Sequence, residues 1–266
     1  MPMGKSRLDV LLVERGLAES RSLAQRLVMA GQVRVDGQVV LRAAASVQAD
    51  AILEIDQGPR FVSRGGEKLA AALQAFPIQV KGKLCADVGA STGGFTDCLL
   101  QHGALRVYAI DVGHGILDWK LRQDPRVVVM EDTNARFVEV LPEPVQLVTV
   151  DVSFISLKII LPVVMSWLAT DGQGGTVISL VKPQFEAGRH EVARGKGVIR
   201  DPLLHRQVLL DVLGSTIPLG YALHGLIRSP ITGPKGNVEF LAWLEYPAEQ
   251  QVSIESLVDT LFEAQN

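Results

Sequence analysis

Lys182 closes the run ISLVKP, in which Ile178 to Val181 read as a strand and Pro183 stops it. An ammonium group at the lip of a buried strand costs desolvation energy unless it is paired or has a task. Its ordinary role there is to cover apolar surface with its stem while the head reaches water. The chemistry open to it is proton abstraction, because a lysine that has lost its proton is a strong base. Three further charged residues come from separate segments: Lys68 in FVSRGGEKL, Asp151 ending VQLVTVDV, and Glu239 early in NVEFLAWLEY. A second cation and two carboxylates around a lysine form a set able to hold and deprotonate a hydroxyl group.

A second group suits a cofactor. DVGASTGGFTD places Gly89, Gly93 and Gly94 between a strand and a helix, where the backbone can turn sharply and approach a ligand. The spacing is neither the dinucleotide fingerprint nor a P-loop with its Lys-Ser/Thr. Asp87, ahead of the first glycine, suits a cationic ligand, and Asp111, closing RVYAID, is placed to accept hydrogen bonds from a ribose diol. S-adenosylmethionine, with its ammonium and sulfonium, is the expected cofactor; a structural turn with Asp111 as a helix cap is the plainer alternative. Methylation of an exocyclic amine usually uses an Asn/Asp-Pro-Pro-aromatic loop, where this chain has DVSFISL. Carbon-5 methylation needs a cysteine near that loop, and Cys85 and Cys98 lie elsewhere. A hydroxyl acceptor, with lysine as base, fits better.

These residues must be held by strands that end at one rim. From residue 83 onward LCADVGA, RVYAIDVG, VVVM, VQLVTVDV and GGTVISLV alternate with the helix patterns FTDCLLQHG, SLKIILPVVMSWLA and DPLLHRQVLLDVLG. Such alternation predicts an α/β fold with a mostly parallel, doubly wound sheet, finished by YALHGLIRSPI and NVEFLAWLEY as an antiparallel pair. Ahead of it stands a small α+β domain. SRLDVLLVERGL and SRSLAQRLVMAG read as amphipathic helices, the first with a capping-box spacing from Ser6 to Asp9, the second capped by Ser20. VRVDGQVV reads as a hairpin turning on Asp36-Gly37. The expected division is a front domain at 1–57, a linker at 58–62 and a large domain at 63–266.

With 47% hydrophobic residues a large core is expected, and two cysteines supply neither a zinc pattern nor a disulfide framework. The net charge of −3 hides an asymmetry, since residues 1–42 carry Lys5, Arg7, Arg15, Arg21, Arg26, Arg34 and Arg42 against Asp9, Glu14, Glu19 and Asp36. The longest apolar stretch, IILPVVMSWLA, is too short to span a bilayer. No signal-peptide pattern opens the chain. A soluble, cytoplasmic protein with no metal and no membrane partner is expected.

Residues 6–56 resemble the αL-type RNA-binding module named after ribosomal protein S4, on SRLD, SRSLAQRLV and GQVRVDG. Arg7 and Arg21, at the starts of the two helices, are placed to address phosphate. The whole chain, through FVSRGGEKL, DVGASTGGFTD, DVSFISL, LVKPQFEAGR and SPITGPKGNVEF, resembles the TlyA-type family, historically labelled haemolysins. Its members are ribosomal-RNA 2′-O-methyltransferases with an FtsJ-like, Rossmann-like class I methyltransferase domain. The resemblance implies a catalytic tetrad of Lys68, Asp151, Lys182 and Glu239, with Lys182 as general base, acting on a cytidine ribose in ribosomal RNA. Cofactor contacts are expected from Asp87, Gly89, Ser91, Gly93, Gly94, Phe95, Asp111 and Asp132. RNA contacts are expected from Arg7, Arg21, Arg64, Arg136 and Arg189, the last within GRHEVARGKGVIRD, a polar stretch expected to fold onto RNA. Asp132 departs from the arginine that many relatives carry in RTN. Three other readings stay open: a membrane-active haemolysin, a non-catalytic RNA-binding assembly factor, and a different acceptor such as tRNA.

Overall fold

The computed structural model describes residues 4–56, 58–168, 174–188, 191–192, 195–248 and 252–263. They form two compact units that divide between Arg60 and Phe61. Phe61 is buried in the core of the second unit, so the expected linker is shorter at its far end than 58–62.

The front unit runs β1 (Lys5–Arg7), α1 (Leu8–Glu14), α2 (Arg21–Met29), β2 (Val33–Val35), β3 (Gln38–Val39), β4 (Ser46–Gln48) and β5 (Leu53–Ile55). Its core gathers Leu8, Leu12, Ala24, Val28 and Val33, the apolar stripes of both helices closed by a strand. Asp36 and Gly37 turn the β2–β3 hairpin with φ of +50° and +79°, the left-handed pair that a two-residue loop requires. Ser20 caps α2 by accepting the Leu23 N–H. Ser6 does not cap α1. It pairs with Val47 in the β1–β4 ladder, leaving Arg7 at the cap position with no side-chain cap bond. Asp9, the expected partner of that box, is instead fully buried and receives Arg7, Arg21 and Gln25.

The second unit contains α3 (Gly65–Ala75), β6 (Leu84–Val88), α4 (Gly94–Gln101), β7 (Arg106–Ile110), α5 (Trp119–Arg122), β8 (Val127–Met130) and β9 (Leu147–Val150). It continues with α6 (Leu157–Met165), β10 (Gly175–Val181), α7 (Pro183–Glu186), α8 (Pro202–Gly214), β11 (Ala222–Arg228), β12 (Phe240–Tyr246) and α9 (Ile254–Glu263). Among the described residues the sheet has the order β11-β12-β10-β9-β6-β7-β8. Strands β6 to β10 pair in parallel, while β12 runs antiparallel to both its neighbours. Every residue of β9 and β10 is buried, as expected for strands covered on both faces. Residues of α6, α8 and α9 share one apolar cluster, and those of α3, α4 and α5 the other, which is the doubly wound arrangement. Glycines let α3 approach α4: a Cβ on Gly94 would stand 2.3 Å from Ser63 Oγ and 2.8 Å from the Gly66 nitrogen. That close packing carries Lys68, on α3, to the rim of the sheet.

Candidate active site

Asp151 and Lys182 directly follow the carboxyl ends of β9 and β10. Because β12 runs the other way, its beginning lies at the same rim: Val181 pairs with Phe240, and Glu239 comes one residue earlier. Lys68 Nζ donates to Glu239 Oε2 at 2.6 Å. Lys182 Nζ lies 2.6 Å from Asp151 Oδ1 and donates to Ser153 Oγ at 2.9 Å. Lys68, Lys182 and Glu239 are buried, so these are ion pairs largely withdrawn from water. Gly233 packs against the Glu239 carboxylate, where a Cβ would come within 2.1 Å of Oε1, and Gln184 Nε2 approaches that oxygen at 3.5 Å. All four charged residues border one cavity of about 370 Å³, together with Arg64, Gly94 and Phe95.

A larger cavity of about 580 Å³ adjoins it, sharing Gly89, Ser91, Asp151 and Ser153 as common lining. Asp111 stands on its edge, its carboxylate accepting the Ser91 N–H at 2.8 Å and the Gly113 N–H at 2.7 Å. Gly89 has φ of +83°, and a Cβ there would meet the Asp151 carbonyl oxygen at 2.5 Å, so only glycine lets the loop lie against the next strand end. Ile110, Val112 and Ile116 give the cavity an apolar side. A cleft lined by two carboxylates, Asp111 and Asp151, and by apolar side chains fits a ligand that joins a ribose and a flat ring to a cationic group.

Several expected residues are placed otherwise. Asp87 is fully buried and is not among the residues lining either cavity. Its oxygens accept Thr96 Oγ1 at 2.7 Å and Thr149 Oγ1 at 3.0 Å, tying α4 to β9 beneath the glycine loop. Burial pushes its carboxyl up to about 7, against the lowering effect of the two hydroxyls. It supports the loop rather than facing a ligand. Gly93 has φ of +96°, and a Cβ there would strike Leu121 at 2.2 Å and Leu117 at 2.8 Å, so the requirement for glycine comes from packing and backbone conformation. Gly94 and Phe95 line the smaller cavity, not the larger. Asp132, also outside both linings, is exposed and lies 2.7 Å from His114 Nδ1, which favours the protonated imidazole. Arg136 borders the larger cavity with its guanidinium 5.1 Å from the Phe137 ring centre. Arg7 and Arg21 are both bonded to Asp9, and Arg189 lies outside the described residues.

Two residues had no sequence pattern to mark them. Glu131 accepts the N–H groups of Gly115, Ile116 and Leu117 and a bond from Arg122, gathering the loop that follows Asp111. The Arg122 bond first, then those backbone donors, hold its carboxyl down at about 2. Its one signal was an acid directly after VVVM. Phe154 is 90% exposed with φ of +65°, borders the larger cavity, and stands 4.8 Å from the Phe185 ring.

Residues 61–246 match the FtsJ-like methyltransferase family and residues 6–53 match the S4 domain. The chain belongs to the FtsJ-like methyltransferases. It is 50% identical over 258 residues to YqxC of Bacillus subtilis, a candidate rRNA methyltransferase, spanning 94% of this chain and 89% of that protein. It is 44% identical over 264 residues to the 16S/23S rRNA (cytidine-2′-O)-methyltransferase TlyA of Mycobacterium tuberculosis, covering 98% and 97% of the two chains. Among solved structures, a candidate hemolysin from Streptococcus thermophilus superposes with a TM-score of 0.71 at 42% identity, over 98% of this chain and 97% of that one. An S-adenosylmethionine-dependent methyltransferase from Listeria monocytogenes shares the Rossmann-like fold with a TM-score of 0.51 at 17% identity, over 69% of this chain and 99% of that one. This FtsJ-like methyltransferase therefore joins a TlyA-type catalytic unit to a front S4 domain. Among the described residues, no helix is long and apolar enough to cross a membrane.

Proposed function

We propose that the protein methylates a ribose 2′-hydroxyl in ribosomal RNA, on a cytidine as in the TlyA relative, with S-adenosylmethionine as the methyl donor. The observation that carries this reading is the pairing of Lys182 with Asp151 where the two cavities meet. When bound, S-adenosylmethionine supplies an electrophilic methyl group on a sulfonium centre. Asp111 is the residue to accept from a ribose diol, since each of its oxygens keeps a lone pair beyond its one backbone bond. Asp151 and Gly89 border the same cavity, and a cationic group is favoured beside the Asp151 carboxylate.

The acceptor belongs in the smaller cavity. Lys68, held on Glu239, can donate to a sugar oxygen, and Glu239 can accept from a neighbouring hydroxyl. Lys182, once neutral, takes the proton of the 2′-hydroxyl, and Asp151 holds the resulting ammonium. Phe154 offers an exposed aromatic face on which an unstacked base can lie, and Arg64 and Arg136 are placed for phosphates beside the two cavities. The front unit supplies further RNA contact, as its S4 match suggests.

The test is mass mapping of 2′-O-methyl groups in ribosomal RNA from cells with and without the gene, paired with calorimetric titration of S-adenosylmethionine into the purified protein. Loss of one or more cytidine methylations on deletion, with saturable binding, is the expected result. An unchanged methylation map with no cofactor binding would leave an RNA-binding assembly role instead.

A further inference from the structure

The Lys182 amine donates to Ser153 Oγ at 2.9 Å and stands in an ion pair 2.6 Å from Asp151 Oδ1. Its other near neighbour is the Phe185 ring, whose centre is 5.9 Å away. The number of acceptors matters for a base. A neutral amine on a lysine stem carries two N–H bonds and one lone pair, arranged tetrahedrally with the carbon. If one N–H alone is fixed, the amine still turns about its last C–N bond and the lone pair samples several directions. When two acceptors fix both N–H bonds, a single direction remains for the lone pair. Lys182, Asp151 and Ser153 all border the smaller cavity, so an acceptor placed there can meet that lone pair.

We propose that Ser153 is a positioning residue that converts Lys182 from an ion-pair partner into an oriented base. The proposal rests on the reading of Lys182 as the general base. In the step it serves, the O–H bond of the acceptor breaks, its proton joins the Lys182 lone pair, and the electron pair of that bond stays on the oxygen. The ammonium so formed stays hydrogen-bonded to Ser153 and paired with Asp151. The hydroxyl suits this role better than a third carboxylate would. It accepts one bond without adding negative charge that would hold the proton on the nitrogen. Ser153 follows β9 closely and belongs to the loop that runs from Asp151 to Ser156. That loop is pinned at its far end, where Glu186 accepts Ser156 Oγ at 2.5 Å and the Leu157 N–H at 2.8 Å. Phe154 against Phe185 adds a second tie between the same two segments. The acceptor oxygen of Ser153 is thus set by contacts that do not pass through the lysine.

The test compares Ser153→Ala, Ser153→Thr and Lys182→Arg in the full chain. Ser153→Ala should lower single-turnover methylation of ribosomal subunits by about tenfold, a part of what a general base contributes. Its KM for RNA and its affinity for S-adenosylmethionine should stay as in the wild type. Ser153→Thr, which keeps the hydroxyl, should restore most of the rate. In the protein without cofactor or RNA, 15N relaxation of the Lys182 ammonium should report faster rotation about the terminal C–N bond in the alanine variant than in the wild type or the threonine variant. An unaltered rate and relaxation in Ser153→Ala, while Lys182→Arg is inactive, would overturn the role of Ser153 and leave the base intact. Near-native methylation by Lys182→Arg would instead overturn the base itself, and with it this proposal.

Discussion

Lys68 Nζ and Glu239 Oε2 meet at 2.6 Å although 171 positions separate them, and the Glu239 side chain has no exposed surface. Breaking such a pair from one side leaves a largely desolvated carboxylate without its counter-ion. Lys68→Met should therefore destabilise the large unit by about 3–5 kcal/mol, and Lys68→Met with Glu239→Leu should recover much of that loss. Urea denaturation of the single and double variants measures the coupling. A double variant as unstable as the sum of the singles would show that the two charges do not support each other.

Lys182→Ala should reduce turnover by about 10²–10⁴-fold, the range for loss of general-base assistance. Lys182→Arg should be nearly as damaging, because a guanidinium keeps the charge without giving up its proton. Affinity for S-adenosylmethionine, followed by calorimetry, should change little in either, since Lys182 borders the smaller cavity. An arginine variant that methylates at close to the native rate would make Lys182 an electrostatic clamp only.

Asp87 gives a pH signature. Burial pushes its folded carboxyl up to about 7, above its value of about 4 in an unfolded chain. Between those values the folded state holds a proton that the unfolded chain has released, so this group's contribution is complete below about pH 4 and is lost as pH rises to about 7. Asp87→Asn should flatten that dependence while weakening one of the two threonine bonds. Thermal melts of both proteins across that window check it, and a wild-type-to-variant difference that does not vary with pH would refute it.

Gly93→Val should act on folding before it acts on the cofactor. The new side chain meets Leu117 and Leu121 and forces a β-branched residue into φ of +96°. A loss of stability of about 2 kcal/mol or more is expected, since strain and overpacking add. A variant with native melting behaviour and lost calorimetric binding would return Gly93 to the ligand.

In the front unit Arg7 and Arg21 share Asp9, whose carboxyl they and Gln25 hold well below the usual range, Arg7 foremost. A depressed carboxyl contributes stability above its unfolded value and loses it as pH falls. Asp9→Asn should thus make the unit less stable at neutral pH and less sensitive to acid. Arg21→Ala should reduce the salt slope of RNA binding by about one unit if its remaining donors reach phosphate. A slope unaffected by that change would confine Arg21 to its structural pair with Asp9.

Much of the site was legible because strand ends are legible. An apolar run that stops at a charged residue marks the rim of a parallel sheet, and Asp111, Asp151 and Lys182 all stand there. What the chain does not declare is the direction in which a side chain leaves the rim. Asp87 lies inside β6, one residue before its end, and points its carboxylate to Thr96 and Thr149. Asp132 turns outward to His114. Glu131 and Ser153 escaped notice for a related reason: each acquires its role from partners on other segments, with no spacing rule to announce them. Ser6 shows the same limit on a smaller scale, since its backbone was claimed by a strand before its hydroxyl could cap a helix.

Strand β12 enters between β10 and β11, so Glu239 comes into place only with the last-made strand among the described residues of the sheet. At about 5–20 residues per second, a ribosome needs roughly ten to thirty seconds to travel from Lys68 to Glu239. Throughout that interval the nascent chain holds a lysine without its counter-ion, and once β10 is made the edge that β12 will cover stays open. The front unit meanwhile has every residue of its buried cluster in hand by Val33, and all its strands by Ile55. On the proposed tetrad, catalytic competence therefore waits for the start of β12, long after the last strand of the front unit has been made.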